Sequence, residues 1–146
     1  MKKIILDTMH HSPTSHELGH ALMRIGIGIM LLIFGYEKLT SGAEHLAQLG
    51  SAMGLFGITF GYLFWGYMAA LTEFCVGICY ITGFLTRLAS IPFIGLLIVA
   101  IKFLLSKGND FTVWGFPFVC LCIALNMLIA GSGTYSLDYA ISSRAK

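Results

Sequence analysis

Long apolar stretches separated by short polar segments make up most of the chain. Four of them approach or exceed the roughly 20 residues that a helix needs to cross the hydrocarbon core of a bilayer. They cover residues 18–38, 59–84, 88–105 and 113–131. The hydrophobic pattern therefore predicts an all-α integral membrane protein, built as a bundle of four transmembrane helices.

The segments between these predicted spans differ in length. Residues 83–87 and 106–110 are short enough for tight turns, which makes the helices that they join antiparallel neighbours. The first connection, residues 40–58, is longer and carries apolar residues at helical spacing between Ala43 and Met53. We therefore expect a short amphipathic helix between spans one and two, at the outer membrane face.

The spans define one domain with two short tails. We expect residues 1–17 to form a polar tail that contains histidines, residues 18–138 a single four-span domain, and residues 139–146 a C-terminal tail. The opening apolar run ends at Asp7 after three residues. Because a secretory signal needs an apolar run of roughly 7–15 residues, we expect the first span to be retained.

The composition supports a membrane location and argues against two other classes of protein. Of 146 residues, 57% are hydrophobic and 11% are charged, whereas a soluble domain has about 25% charged residues. The net charge is only +2 and the basic residues are scattered, which argues against nucleic-acid binding. The abundance of large apolar side chains argues against disorder. We therefore expect the protein to lie in the lipid bilayer.

The distribution of basic residues predicts the orientation of the chain. Four spans place both termini on one side of the membrane, together with the turn at residues 83–87. Five basic residues fall on that side and two in the opposite loops: Lys2, Lys3, Arg87, Arg144 and Lys146 against Lys38 and Lys107. Because Lys and Arg are enriched in cytoplasmic segments, we expect both termini in the cytoplasm.

Three charged residues, Arg24, Glu73 and Lys102, fall inside the predicted spans. An ionised group at mid-bilayer costs at least about 2.5–3.5 kcal/mol, so each needs a partner, water or a function. Glu73 and Lys102 lie at similar distances from the turn between their helices, which predicts a contact. Arg24 and Asn126 lie at comparable depth, which predicts a hydrogen bond. We treat the three charged residues as a candidate catalytic cluster; a structural ion pair, or a Lys102 that reaches the headgroups, is the alternative.

The segment His16-Glu17-Leu18-Gly19-His20 matches HExxH, in which two histidines one helical turn apart bind zinc and the glutamate activates water. A catalytic zinc also needs a third protein ligand, and Asp138 is the candidate on that side of the membrane. We expect instead a simple helix start capped by Ser15. A metal-binding tail or a metalloprotease, with His16, Glu17 and His20 as metal-site residues, is the alternative.

The four cysteines also fall within the spans. Cys75 and Cys79 share a helix face, whereas Cys120 and Cys122 do not. Because buried thiols usually act as small apolar residues, we expect them to pack. A dithiol or metal site is the alternative.

A series of short motifs runs in order from about residue 22 to residue 138. The pieces are Arg24-Ile25-Gly26, Gly35-Tyr36-Glu37-Lys38-Leu39, Glu73 with Gly77, residues 83–89 and residues 131–138. In this combination and spacing the chain resembles the DoxX family of small four-helix membrane proteins of bacteria and archaea.

This resemblance implies a multi-pass protein of the bacterial or archaeal cytoplasmic membrane with a link to redox metabolism. Family members are associated with thiosulfate or quinone oxidoreduction and with oxidative-stress defence. By motif position the resemblance marks Arg24, Lys38, Glu73 and Arg87 as candidate functional residues, Lys38 and Arg87 as candidates for contact with a cofactor. That cofactor is left open, with quinone as the candidate; no ligand set for haem, flavin or an iron–sulfur cluster is visible in the sequence.

Three functional hypotheses follow. In the first, the chain is a redox-associated subunit with protein partners, and Glu73 exchanges a proton with a quinone or hydrogen-bonds to it, tuned by Lys102 and Arg24. In the second, it is a non-enzymatic module that assembles or recruits partners through small-residue pairs, such as Gly50 and Gly54, and through the outer amphipathic segment; formation of a homo-oligomer is left open. In the third, it is a zinc-binding protein or metalloprotease.

Overall fold

Four long helices form the body of the protein in the computed structural model, which describes residues 13–144. They are α1 (Pro13–Thr40), α3 (Tyr62–Thr82), α4 (Thr86–Ser106) and α5 (Phe111–Ala130). Each contains an apolar window long enough to cross a membrane. The predicted all-α bundle of four spans is confirmed, and α1 extends further towards the N terminus than its apolar pattern indicated.

The first connection contains the short helix α2 (Ala43–Gly50), continued by a 3-10 segment, Ser51–Phe56. The predicted short helix between the first two spans is thus confirmed. It packs against the start of α3 through two glycines: a Cβ atom on Gly50 would collide with the carbonyl oxygen of Tyr62, and one on Gly66 with that of Leu46. We call this end of the bundle the α2 end, and the opposite end, which contains the α3–α4 turn, the turn end.

The long helices pack as two close pairs, α1 with α3 and α4 with α5. Small residues let α1 and α3 approach, since a Cβ atom on Gly28 would lie 3.0 Å from the carbonyl oxygen of Gly77. The shared core comprises Leu31, Val76, Tyr80, Phe93, Leu97, Cys120, Ala124 and Met127. On α3, α4 and α5 most of these positions lie towards the turn end, so the interior is solid there.

The chain after α5 folds back across the turn end and finishes in α6 (Leu137–Arg144). The amide of Asp138 donates a hydrogen bond to the carbonyl of Gly83, and the Asp138 carboxylate accepts one from the amide of Leu85. The C-terminal segment is therefore fixed to the α3–α4 turn.

Candidate ligand-binding cavity

A cavity of about 460 Å³ lies in the half of the bundle towards the α2 end. Its volume falls within the range of small-molecule sites, about 300–1,000 Å³. Its larger wall side chains are Phe34, Trp65, Met68, Phe93, Phe103 and Phe116. The segment that joins α1 to α3 adds Leu49, Ala52 and Met53. The cavity thus offers a mainly apolar and aromatic surface.

Lys38 and Glu73 are the charged residues in this wall. The Nζ atom of Lys38 lies 2.6 Å from each carboxylate oxygen of Glu73. The Glu73 side chain is 9% exposed and that of Lys38 29%. Because each charge neutralises the other, the pair can exist in apolar surroundings. Small-molecule sites typically combine an apolar wall with a small number of polar groups, and these polar groups orient the ligand.

The close packing of α1 and α3 explains why these two side chains meet. A Cβ atom on Gly35 would lie 2.8 Å from the Cα of Phe74, so the two helix backbones are nearly in contact there. Lys38 follows Gly35 by three residues, and Glu73 directly precedes Phe74. Since positions three apart share a helix face, the glycine that brings the helices together also directs Lys38 towards Glu73.

The predicted contact between Glu73 and Lys102 is wrong. The Nζ atom of Lys102 lies over the ring of Phe56, 4.1 Å from its centroid. Phe103 and Leu104 line the cavity from α4, whereas Lys102 is exposed on another face of that helix. The depth of a residue along its helix does not determine the direction of its side chain, and here the direction separates the two charges.

Arg24 also lies apart from Glu73, so the predicted cluster of three charges does not form. It precedes Lys38 by 14 residues, roughly 21 Å along α1. Its buried guanidinium donates hydrogen bonds of 2.7 Å to the carbonyls of Tyr80 and Tyr135. The predicted bond to Asn126 is not made, because Asn126 is exposed on α5. Arg24 thus connects α1 to α3 and to the C-terminal segment.

The HExxH segment also contacts the C-terminal segment. The Glu17 carboxylate accepts hydrogen bonds of 2.9 Å from the amide and the hydroxyl of Thr134, and His20 Nε2 lies 3.0 Å from the carbonyl oxygen of Gly131. Within residues 13–144 no three His, Cys, Asp or Glu side chains are grouped as a metal site requires. α1 already begins at Pro13, so the predicted cap at Ser15 lies inside the helix.

The remaining candidates are dispersed. Arg87 is exposed at the turn end and donates a hydrogen bond of 3.1 Å to the carbonyl of Ile129. All four cysteines are free thiols: Cys120 is buried in the cavity wall, Cys79 is half-buried, and Cys75 and Cys122 are exposed. Of the candidate residues, the structure brings Lys38 and Glu73 together at the cavity and places Arg24 and Arg87 elsewhere.

Comparison with protein-family models gives a match to the family DoxX over residues 19–107, more than half of the chain. The matched range contains Lys38 and Glu73, and all of the cavity wall outside α5. Neither the curated proteins nor the solved structures that were compared contain a match to this chain.

Proposed function

Because the chain belongs to the DoxX family, we propose that it is a redox-associated subunit of the membrane that binds a quinone in the cavity beside Lys38 and Glu73. The observation that supports this most directly is the ion pair in a mainly apolar wall. A quinone combines an apolar ring with carbonyl oxygens that accept hydrogen bonds. The cavity has groups suited to both parts.

Lys38 is the residue that would hold a quinone oxygen. Its ammonium group has three N–H donors, and its nitrogen contacts the two oxygens of Glu73. A donor is therefore left for a ligand carbonyl. The aromatic side chains Phe34, Trp65 and Phe116 would pack against the ring.

Glu73 is the group that can carry a proton in this proposal. Reduction of a quinone to a quinol adds two electrons and two protons. A partner redox protein would supply the two electrons and water the two protons, one of which the Glu73 carboxylate would take up and pass to the oxygen held by Lys38. The cavity suits thiosulfate less well, because a dianion would enter apolar surroundings where the cation already has a carboxylate partner.

Tryptophan fluorescence tests the proposal directly. The chain has two tryptophans; Trp65 lies in the cavity wall, and Trp114 is near the start of α5. In nanodiscs, Trp114→Phe leaves Trp65 as the single tryptophan. We expect a short-chain quinone to quench the fluorescence of Trp65 with saturation. The matched control Trp65→Phe isolates Trp114, whose quenching should rise in proportion to quinone in the lipid.

The ion pair is tested in the Trp114→Phe background. Lys38→Met and Glu73→Gln should each weaken the saturable quenching by about tenfold or more, the effect of about 1.4 kcal/mol. Lys38→Arg, which keeps the charge, should weaken it less. Gel filtration and circular dichroism identify variants that fail to fold. Quenching of Trp65 that does not saturate, or that is the same in all variants, would contradict the proposal.

The alternative of an assembly module has less support. Gly50, which was a candidate for contact with another protein, is already packed against Tyr62 of its own chain. We therefore propose that the protein has redox partners or forms oligomers, and we assign no part of its surface to these contacts.

We also propose that the protein lies in the cytoplasmic membrane of a bacterium or archaeon with both termini in the cytoplasm. The turn end holds Arg87 and Arg144, and the excess of basic residues in the tails favours this orientation. Reporter fusions after residue 144 and within the loop at residue 108 test it. A cytoplasmic reporter should be active at the first position and inactive at the second; the reverse would contradict it.

A further inference from the structure

We infer that the rings of Phe34 and Phe116 form a gate between α1 and α5, through which a lipid-dissolved ligand enters the cavity from the bilayer. The ligand is then an amphiphile: its polar head contacts Lys38, and its apolar tail lies between the two rings and in the lipid. A quinone with an isoprenoid tail is such a molecule, and this identity of the ligand rests on the proposed function. The position of the gate follows from the packing of the helices.

The α1–α5 side is the most loosely packed side of the bundle. Of the long helices that are neighbours around the bundle, α1 and α5 have the backbones that approach each other least. α1 and α3 are in backbone contact at Gly28 and Gly35, and α4 and α5 form the second close pair. α3 and α4 also contact each other, and the 3-10 segment Ser51–Phe56 packs against both of them. Side chains therefore determine whether the α1–α5 side is open or closed.

Towards the turn end, side chains fill the space between α1 and α5. Leu31 of α1 belongs to the same buried cluster as Ala124 and Met127 of α5. At the end of the bundle, His20 Nε2 lies 3.0 Å from the carbonyl oxygen of Gly131, the residue that follows α5. A ligand that entered in this half would have to displace buried side chains. This half of the α1–α5 side is therefore closed.

Towards the α2 end, two aromatic rings bridge the space between α1 and α5. The rings of Phe34 and Phe116 meet edge to face at a centroid distance of 5.8 Å. Both rings line the cavity, and they are 37% and 48% exposed. Over the residues that the structure describes, no hydrogen bond or ion pair joins α1 to α5 in this half. Because rotation of either side chain to another rotamer breaks the ring contact, the gate can open without movement of a helix.

The outer side of the gate is apolar and lies at the depth of the membrane. Ile33, next to Phe34, and Val119, one turn after Phe116, are 51% and 55% exposed and do not line the cavity. Both rings belong to helices that are long and apolar enough to cross a membrane. Phe34 precedes Thr40, the last residue of α1, by six positions, or roughly 9 Å. A molecule that reaches the gate from outside is therefore dissolved in lipid.

The gate lies next to the ion pair of the cavity. Lys38 follows Phe34 by four residues, so the two side chains share a face of α1 and lie roughly 6 Å apart along its axis. The Lys38 side chain is 29% exposed, whereas that of its partner Glu73 is 9% exposed. The more accessible member of the pair is thus the one beside the gate. A ligand head that passes the rings meets the Lys38 ammonium group while its tail is still between them.

The rate of Cys120 alkylation tests entry from the bilayer without any quinone, so its result is independent of the quinone-binding experiment. Cys75→Ala, Cys79→Ala and Cys122→Ala leave Cys120 in the cavity wall as the single thiol. In nanodiscs, an N-alkylmaleimide dissolved in the lipid should modify Cys120. A sulfonated maleimide, which stays in water, should react at least about tenfold more slowly. Equal rates, or a faster reaction from water, would overturn entry from the bilayer.

Variants of the two rings test the position of the gate in the same single-thiol background. Phe34→Ala with Phe116→Ala should accelerate the reaction of the lipid-dissolved maleimide about tenfold. Phe34→Trp with Phe116→Trp enlarges both rings and should slow this reaction about threefold. Thermal unfolding verifies that each variant is folded. An unchanged rate in either folded variant would overturn the gate.

Two controls distinguish the gate from loosened packing and from another route. Ile33→Ala with Val119→Ala removes exposed side chains beside the gate that do not line the cavity, and should change the rate by less than about twofold. Met68→Ala with Val99→Ala removes side chains that line the cavity from α3 and α4, and should also change the rate by less than about twofold. Acceleration in either control that equals the acceleration in the alanine variant of the two rings would overturn the inference.

Discussion

Lys38 and Glu73 form an ion pair in which one ammonium nitrogen lies 2.6 Å from both carboxylate oxygens, between two helices that are in backbone contact. The two partners differ in environment, because Glu73 is buried and Lys38 is partly exposed near the end of α1. Each charge stabilises the other. Because the environments differ, removal of Lys38 and removal of Glu73 should lower the stability of the protein by different amounts.

The first prediction is an asymmetric double-mutant cycle. Lys38→Met leaves a buried carboxylate without its cation and should lower the free energy of unfolding by about 3 kcal/mol. Glu73→Leu should cost less, because the long Lys38 side chain can turn towards the headgroups. The double variant should be more stable than the sum of the two losses predicts. Unfolding in mixed micelles, followed by circular dichroism, measures these values, and additive losses would show that the pair contributes no coupling.

The second prediction concerns the glycines that attach α2 to α3. Gly66→Ala places a methyl group on the carbonyl of Leu46. Because both atoms belong to backbone or Cβ, no side-chain rotation relieves the collision, and we expect a loss of about 2–3 kcal/mol. Gly95→Ala is the matched control within a helix, since nothing lies within 4 Å of its added methyl.

The control variant Gly95→Ala should be more stable than the parent protein by about 0.5–1 kcal/mol, because alanine loses less backbone entropy than glycine when a helix forms. Unfolding midpoints in detergent compare the two variants. Equal stability of Gly66→Ala and Gly95→Ala would show that α2 does not pack on α3 as described.

Much of the fold is present in the hydrophobic pattern. The four spans and the short helix after α1 could be predicted because lipid requires long apolar helices, whatever the packing. The pairing of charges could not be predicted from depth alone. It depends on which face of each helix points inward, and the depth of a residue carries no information about that face.

A pattern in the sequence does identify those faces. On α1 the buried positions 24, 28, 31 and 35 recur at intervals of three and four residues, and position 38 continues the series. On α3 the series is 66, 70, 73, 77 and 80. Lys38 and Glu73 thus lie on the two stripes that contain the glycines, as a close helix interface requires. Lys102 does not continue the buried series 86, 90, 93 and 97 of α4.

The cavity has no comparable sequence pattern. Its volume depends on how far apart the helices lie towards the α2 end, and on the 3-10 segment that lines the cavity there. Both are properties of tertiary packing. The aromatic residues in its wall, among them Phe34 and Phe116, resemble in sequence the aromatic residues that face lipid.

The third prediction compares two arginines at the turn end. Arg24→Ala leaves the carbonyls of Tyr80 and Tyr135 without their donor, and we expect a loss of about 2 kcal/mol. Arg87 is exposed and makes one longer bond to Ile129, so Arg87→Ala should change stability by less than about 0.5 kcal/mol. Hydrogen exchange at residues 131–138 should accelerate in the first variant and not in the second. Similar exchange rates in the two variants would show that Arg24 does not hold the C-terminal segment in place.

The last prediction separates a structural role of the HExxH segment from a metal site. Glu17 accepts two hydrogen bonds from Thr134, and His20 contacts Gly131, so these side chains already bind the C-terminal segment. We expect Glu17→Ala and Thr134→Ala each to accelerate hydrogen exchange at the amide of residue 134. A chelator should leave the exchange rate and the unfolding temperature unchanged, because hydrogen bonds between the protein's own groups join these elements. His16→Ala serves as a further test by metal analysis: stoichiometric zinc in the parent protein that is lost in this variant would assign the segment to metal binding after all.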